Sequence, residues 1–327
     1  MNKFLIFRTD RIGDYIFSRL LTEAIKKDNP KNTIDFVCSS YNSKYIKNFS
    51  DVKKIYILDK YDLSLMIKNI FKINNNNYDY LIILDGKRRS VFFSMFLKAK
   101  KKFVILKDFR PYLLLKIFFN KYFINSEVNS QFNNFSCVIN YLDVKVPTKI
   151  NYYNSYKFKK NKFVNLPSKF SLLHLDEKWF EGHYYDDFHY MSLNIKSFKL
   201  LIESIIKKFK KDIVLTSGKI NIEQFDLIKK SYFKKINSNI FICKYFSKKV
   251  FFVDNTDFRD LENIVKYSNE VICCEGAISH VSNSFNIKTY ALVNNFKTAK
   301  FWTSHMNNIK LVKRDNISNI CRQISLI

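Results

Sequence analysis

Phe4-Leu5-Ile6-Phe7-Arg8 runs directly into Thr9-Asp10-Arg11-Ile12-Gly13-Asp14, and Tyr15-Ile16-Phe17-Ser18-Arg19-Leu20-Leu21 follows. The first residues are an unbroken apolar run closed by a charge, as in a strand buried on both faces. From position 14 to 27, Ile16, Leu20, Leu21, Ala24 and Ile25 fall on one face at helical spacing. A glycine separates the two patterns. Strand, glycine turn and helix in that order open a parallel α/β unit.

The alternation recurs along the chain. Strands are expected at Thr33–Cys38, 54–58, 80–85 and 103–106, with helical material between them. A second series starts with a strand at Phe170–Leu175. It continues through a helix at Ile195–Phe209, a strand at 212–216 and a helix at 220–230. A strand at 250–254, a helix at Phe258–Tyr267, a strand at 271–274, a helix at 277–285 and a strand at 289–293 complete it. Such a pattern predicts parallel sheets flanked by helices. The polar, Lys-rich stretch 151–167 reads as the linker between two domains, and 327 residues are ample for two cores.

Of only five glycines, Gly13, Gly86, Gly218 and Gly276 each follow an apolar strand candidate. Ligands of open α/β sheets bind at the carboxyl ends of strands. Glycine also suits such turns for purely conformational reasons. Gly13 and Gly276 stand out because of their neighbours. Asp14, beside Gly13, can cap the following helix or accept a proton from a substrate. Arg8, Asp10 and Arg11 give that turn more charge than a plain turn needs. The second block is Cys274-Glu275-Gly276-Ala277-Ile278-Ser279-His280. Small residues opening a helix expose backbone N–H groups that seat a pyrophosphate. Ser279 and His280 lie within the first turns, and Glu275 is placed to bind ribose or sugar hydroxyls. The third block is His174-Leu175-Asp176-Glu177-Lys178-Trp179, whose Lys178 can neutralise a phosphate.

The formal net charge is +27, which favours anionic partners. Much of it is local: between Gly86 and Tyr122 there are eleven Lys and Arg, one acid (Asp108) and nine interleaved aromatics. Lys87, Arg88, Arg89, Lys98, Lys100, Lys101 and Lys102 supply charge there, and the runs 91–97 and 112–119 supply apolar surface. This segment, 86–122, is the expected face toward an anionic ligand or an anionic membrane surface. The six cysteines (38, 137, 243, 273, 274 and 321) form no C-x-x-C pair and sit mostly in apolar runs, as reduced thiols of a cytoplasmic protein do. No apolar run approaches the roughly 18 residues of a membrane span. The expected location is the cytoplasm, free or peripheral on the cytoplasmic face of the inner membrane.

At these motifs the sequence resembles glycosyltransferase family 9, the lipopolysaccharide heptosyltransferases. That family opens with a strand, an arginine-containing stretch ending in Gly-Asp, and a helix, as in Phe4 to Leu21 here. Its second half carries Asp-Ser/Thr-Gly-x-x-His between a strand and a helix. Aligned on His280, Glu275 stands at the family Asp, Gly276 at the Ser/Thr and Ala277 at the Gly. The family's lysine before a tryptophan matches Lys178-Trp179. The resemblance implies a GT-B fold, α/β, with two Rossmann-like parallel-sheet domains facing across a cleft. It places the acceptor on an N-terminal domain (1–155) and the nucleotide-sugar on a C-terminal domain (156–310). A final segment (311–327) would cross back to the first domain. Neither metal nor cofactor is expected, the nucleotide-sugar being a co-substrate.

The expected reaction is inverting transfer of a sugar, heptose from ADP-heptose, onto a lipopolysaccharide or lipooligosaccharide core or a related glycolipid. Asp14 is the expected base and Lys178 the catalytic cation. Glu275, Gly276, Ala277, Ser279, His280 and Gly218 are the expected donor contacts, and Arg8, Arg11 and Gly13 the acceptor contacts. Two rival readings are a GT-B nucleotide-sugar epimerase or hydrolase, which needs no acceptor, and a polyanion-binding protein without enzymatic activity. Against the latter, the sequence carries no recognisable RNA- or DNA-binding motif.

Overall fold

The opening run becomes strand β1 (Lys3–Arg8), and helix α1 (Ile12–Asp28) follows after a three-residue turn. A computed structural model describes the chain apart from residues 60, 107–112, 127–128, 148–151, 154, 159–162, 164, 181–190, 192, 220–221 and 327. The chain divides into two units, Met1–Lys157 and Phe158–Ile327.

After α1 the first unit continues through β2 (Thr33–Cys38), α2 (Ser40–Ile46), β3 (Val52–Ile57), α3 (Leu63–Asn74), β4 (Tyr78–Ile83), α4 (Arg88–Met95), β5 (Ala99–Leu106), α5 (Leu113–Phe118), β6 (Lys121–Ile124) and α6 (Gln131–Tyr141). The six strands form one parallel sheet in the order β3-β2-β1-β4-β5-β6. Side chains alternate across it. Leu5, Phe7, Leu81, Ile83, Val104 and Leu106 bury one face against α3, α4 and α5. On the other face α1 meets α6 through Phe17 and Phe135 and meets β2 through Tyr15 and Phe36. Both faces are covered, which is why these strands read as continuous apolar runs.

The second unit holds β7 (Phe170–Leu175), α7 (Ile195–Phe209), β8 (Asp212–Ser217), α8 (Glu223–Tyr232), β9 (Lys234–Lys235), β10 (Ile240–Tyr245), β11 (Lys248–Val253), α9 (Phe258–Tyr267), β12 (Glu270–Cys274), α10 (Ala277–Ser284), β13 (Lys288–Val293), α11 (Phe296–Thr303), β14 (Ile309–Lys313) and α12 (Ile317–Leu326). Its sheet order is β14-β13-β12-β7-β8-β11-β10-β9. The first six strands in that order are parallel, whereas β10 pairs antiparallel with both β11 and β9. The antiparallel edge departs from the expected all-parallel sheet. The sequence reading assigned neither strand: β9 is two exposed lysines, and the apolar run Ile240-Phe241-Ile242-Cys243 of β10 lies near the sheet edge and is only partly buried.

The last helix packs within the second unit. Ile317, Ile320, Cys321 and Ile324 are buried in the core of the second unit, where α12 packs on α7 and Ser204 Oγ donates to the Cys321 carbonyl at 3.3 Å. Within the expected linker 151–167, some of the described residues are not solvated. Tyr152, Tyr153 and Tyr156 are buried in the first unit. Arg19, itself buried, forms a two-pronged pair with Asp51 at 3.0 and 2.7 Å and donates to Ser155 Oγ at 2.7 Å. A bridge between Phe49 and Tyr156 holds the same segment. Phe158, by contrast, packs on Phe285 in the second unit.

Of the cysteines, Cys38, Cys273, Cys274 and Cys321 are buried, Cys243 is half-buried and Cys137 is exposed, and all six are free thiols. Among the described residues no helix is long and apolar enough to cross a membrane.

Gly86, at the end of β4, sits at φ +56°, and a Cβ there would lie 2.5 Å from the Ile105 carbonyl oxygen. Left-handed backbone and backbone contact together require glycine. Gly86→Ala is therefore expected to cost about 2–4 kcal/mol. That corresponds to a fall in Tm of roughly 5–10 °C. A melting curve superimposable on that of the wild type would show that the strand end relaxes freely.

Candidate functional site

In a doubly wound sheet the crevice opens where the strand order reverses, because the loops from the two central strands leave in opposite directions. In the first unit that point lies between β1 and β4, and in the second between β7 and β12. Both motif blocks at the ends of the chain fall at these points.

At the first, Arg8 is 2% exposed, and its guanidinium ties three pieces of backbone together. Nη1 donates to the Leu84 carbonyl at 2.8 Å, after β4, and Nε donates to the Asp14 carbonyl at 3.0 Å, in α1. It pairs with Asp10 Oδ1 at 3.1 Å and with Asp14 Oδ1 at 3.4 Å. A buried guanidinium of this kind is stable only when fully compensated. Here two carboxylates and two carbonyls compensate it. Arg8 therefore positions the turn rather than facing outward, which revises its expected contact with an acceptor. Arg11 is exposed at the helix start, and its backbone N–H donates to Asp14 Oδ2 at 3.3 Å. Asp14 thus caps the helix through one oxygen and meets Arg8 through the other, with its side chain 27% exposed. Gly13 lies within the first turn of α1, between the two.

Three residues of this cluster had no assigned role in the sequence reading. Asp85 is buried at the end of β4. Its Oδ2 accepts from Thr9 N at 3.1 Å, Thr9 Oγ1 at 2.6 Å and Ser90 Oγ at 2.8 Å, and its Oδ1 accepts from Lys87 N at 3.2 Å. It locks the β1 turn to the start of α4. Asn42, fully buried, donates to the carbonyls of Arg8 and Asp10 at 3.0 and 3.1 Å. Asp10 is the third. The Arg8 Nε–H points at the Asp14 carbonyl, so Asp10 Oδ1 receives the arginine's charge but no hydrogen bond. Burial, opposed by Arg8 and reinforced by Asp14 and Asp85, raises its pKa to about 6. Asp85 and Asn42 are revealed only by burial and by partners distant in sequence, and Asp10 only by its burial.

At the second switch point Lys178 crosses from the turn after β7 to the end of β12. Its Nζ donates to the Glu275 carbonyl at 2.6 Å and lies 3.9 Å from Asp176 Oδ2. Asp176 Oδ1 accepts from Lys178 N at 3.1 Å, capping the short 3-10 turn Glu177–Trp179. Trp179 is fully buried and donates from Nε1 to the His174 carbonyl at 3.1 Å, which fixes the direction of the lysine. Arg314 Nη2 donates to the Lys178 carbonyl. A Cβ at Gly276 would lie 3.3 Å from Lys178 Nζ. The glycine leaves room for the amine to rest over the strand end.

Gly276 is the N-cap of α10, with Glu275 half-buried before it and Ala277 half-buried after it. Ser279 Oγ donates to the Gly276 carbonyl at 2.6 Å and accepts from Gly276 N at 3.4 Å, so it serves the cap itself. His280 is 4% exposed and its ring stacks on His305 with centroids 6.3 Å apart. Burial lowers the pKa of His280 to about 4, and burial together with His280 lowers that of His305 to about 3. His280 is thus a neutral packed ring presenting almost no surface to a ligand, which revises its expected donor contact. Gly218 follows β8, the next strand along, with open space where a Cβ would be. Beside it a cavity of about 320 Å³ is lined by Lys219, Ile222, Phe225, Asp226, Lys229, Asp254 and Asn255. Ser217 Oγ donates to Asp254 Oδ1 at 2.8 Å, and Lys229 pairs with Asp254 and, at 2.8 Å, with Asp226. Lys178, Glu275 and Gly276 are brought together, with Ala277 and Ser279 at the adjoining helix start.

No family model matches the sequence, and no curated protein matches it. Solved structures do match. A glycosyl transferase family 9 protein from Veillonella parvula is similar with a TM-score of 0.70 at 12% identity, over 95% of this chain and 86% of its own. E. coli heptosyltransferase WaaC with ADP is similar with a TM-score of 0.66 at 12% identity, over 99% of this chain and all of its own. The UDP-GlcNAc 2-epimerase of Methanocaldococcus jannaschii gives a TM-score of 0.55 at 13% identity, over 98% of this chain and 91% of its own. The fold is GT-B, as the family resemblance implied.

The Asp10 environment predicts a pH dependence. Its ordinary pKa is 3.8 and its folded value is about 6, so the folded chain holds the proton more tightly between the two. The contribution to stability is greatest below pH 4 and is lost as pH rises through 6. Relative to the wild type, Asp10→Asn should gain up to about 2 kcal/mol between pH 4 and pH 7. Denaturant titrations of both proteins at several pH values measure this, and parallel curves would show that Asp10 titrates normally.

Proposed function

We propose that this chain is an inverting, metal-independent glycosyltransferase acting in lipopolysaccharide biosynthesis. Its donor is a nucleotide-sugar, ADP-heptose first among them, and its acceptor is a lipopolysaccharide or lipooligosaccharide core or a related anionic glycolipid. The observation that carries the reading is the placement of one charged cluster at the switch point of each Rossmann-like sheet, within a fold similar to heptosyltransferases. The solved neighbours include WaaC with ADP and with ADP-2-deoxy-2-fluoro heptose. The likeness to epimerases is weaker, with TM-scores of 0.53 to 0.57.

In this reading Asp14 takes the proton of the acceptor hydroxyl as the acceptor oxygen bonds to the anomeric carbon. The bond from that carbon to the diphosphate oxygen breaks, and its electron pair leaves with the diphosphate. Lys178 and the backbone N–H groups opening α10 meet the charge that develops there. Glu275 binds ribose or sugar hydroxyls, and the cavity beside Gly218 takes the nucleoside. Arg11 binds an acidic group of the acceptor. Arg8 and Asp85 hold Asp14 and its turn in place. The exposed oxygen surface of Asp14 and its grip by Arg8 suit a base that must keep one orientation.

Transfer from ADP-heptose to a truncated glycolipid, assayed with and without acceptor, tests the reading. Transfer that requires acceptor supports it, and turnover without acceptor supports the epimerase or hydrolase reading instead. Asp14→Ala is expected to lower kcat by about 10²–10⁴-fold. Near wild-type turnover in that variant would remove Asp14 from the role of base. A metal chelator in the same assay should leave the rate unchanged, whereas a loss restored by a divalent cation would overturn metal independence.

A further inference from the structure

Helices α3, α4 and α5 cover the same face of the first sheet, and their outer surfaces are unusual for a protein surface. Leu63, Ile67 and Phe71 on α3, Phe92 and Phe96 on α4, and Ile117 on α5 are 48 to 74% exposed. The α3 residues recur every fourth position, so they form one stripe along the helix. Phe92 and Phe96 pack edge to face, 5.2 Å between ring centres. The first two helices are tied side by side. Asn74 Nδ2 donates to the Phe96 carbonyl at 3.0 Å, and Lys98 N donates to Asn74 Oδ1 at 2.7 Å.

Exposed cations stand among these side chains: Lys68 and Lys72 on α3, Arg88 and Lys98 at the two ends of α4, and Lys116 on α5. The three helices contain no Asp or Glu. The nearest acid in sequence, Asp62, is occupied in capping α3 through Leu65 N at 2.8 Å. An acid-free helical layer with scattered apolar side chains between long cations combines the two attractions that hold proteins at charged bilayers. The apolar groups enter the headgroup boundary, and the Lys and Arg stems extend to the phosphates.

We propose that the outer surface of α3, α4 and α5 docks on an anionic phospholipid bilayer, with the Leu63-Ile67-Phe71 stripe as its apolar anchor. This goes beyond the segment 86–122, since Leu63, Ile67 and Phe71, half of the exposed apolar side chains, lie on α3 and part of that segment is β5 inside the sheet. Charge complementarity selects the occupant. A second copy of the chain would set two acid-free basic faces against each other. Nucleic acid would satisfy the cations and could stack on Phe92 and Phe96, yet it offers nothing to Leu63, Ile67 and Ile117.

Flotation of the full-length protein with phosphatidylcholine vesicles, with and without phosphatidylglycerol, tests the proposal and needs no sugar donor. Its outcome is therefore independent of the transfer reading. The wild type should float with the anionic vesicles at low salt and stay in solution with the neutral ones. The triple variant Leu63→Ser, Ile67→Ser, Phe71→Ser should keep its circular dichroism spectrum and bind at least about tenfold more weakly. The charge variant Lys68→Gln, Lys72→Gln, Arg88→Gln should also weaken binding, and its loss should shrink as salt is raised. A wild type that ignores anionic vesicles overturns the proposal. So does a serine variant that binds them as tightly as the wild type, because charge alone then accounts for binding. Tight binding of RNA that displaces the vesicles and is insensitive to the serine changes would assign the face to nucleic acid. Light scattering that shows a dimer dissociated by those changes would assign it to a second copy.

Discussion

The first cluster depends on one buried charge. Arg8 has lost nearly all its water, so every element near it is arranged to compensate it. The carbonyl after β4, the carbonyl in the first turn of α1 and the carboxylates of Asp10 and Asp14 all converge on it. The same contacts fix where Asp14 points. Removing the guanidinium would leave Asp10 buried with an uncompensated charge and free Asp14 from one of its two restraints. Stability and the geometry of the candidate base are therefore consequences of a single interaction. Asp85 and Asn42 act as its outer frame, holding the backbone on either side of the turn.

The second unit reaches a comparable arrangement by different means. Its cation, Lys178, is held through its backbone by Asp176 and Arg314 and through its amine by the Glu275 carbonyl. A Cβ at Gly276 would lie 3.3 Å from the Lys178 amine, the movable end of that side chain. His280 has become part of the packing, neutral against His305. Lys178 and the backbone opening α10 thus lie side by side at this switch point.

Exposed surfaces separate the two kinds of aromatic in this chain. Phe93 and Phe119 fill the core beneath α4 and α5, while Phe92 and Phe96 lie outside it, although all belong to one Phe-rich stretch. Composition cannot distinguish them, because only the rotation of each helix on the sheet decides which residues are covered. The same rotation exposes the α3 stripe, which lies outside the basic segment that the charge count singled out.

The sequence by itself determined the α/β class, the two-unit organisation and both motif blocks. Continuous apolar strands and 3.6-residue periodicity are local signals, and the glycines after Phe7, Asp85 and Cys274 mark strand ends without reference to anything distant. The resemblance at residues 11–14 and 275–280 led to the GT-B fold for the same reason, being short and local. Only the tertiary structure decided the rest. The antiparallel edge at β9 and β10, the docking of α12 on α7, the burial of His280 and the linking of Asp85 to Thr9 each join residues far apart in the chain. Their outcome turns on which neighbours arrive. Arg8 and Arg11 illustrate the difference: three positions apart in the sequence and alike in composition, one is sealed beneath two carboxylates and the other is left at the surface. Burial is a property of the assembled sheet, and no local pattern encodes it.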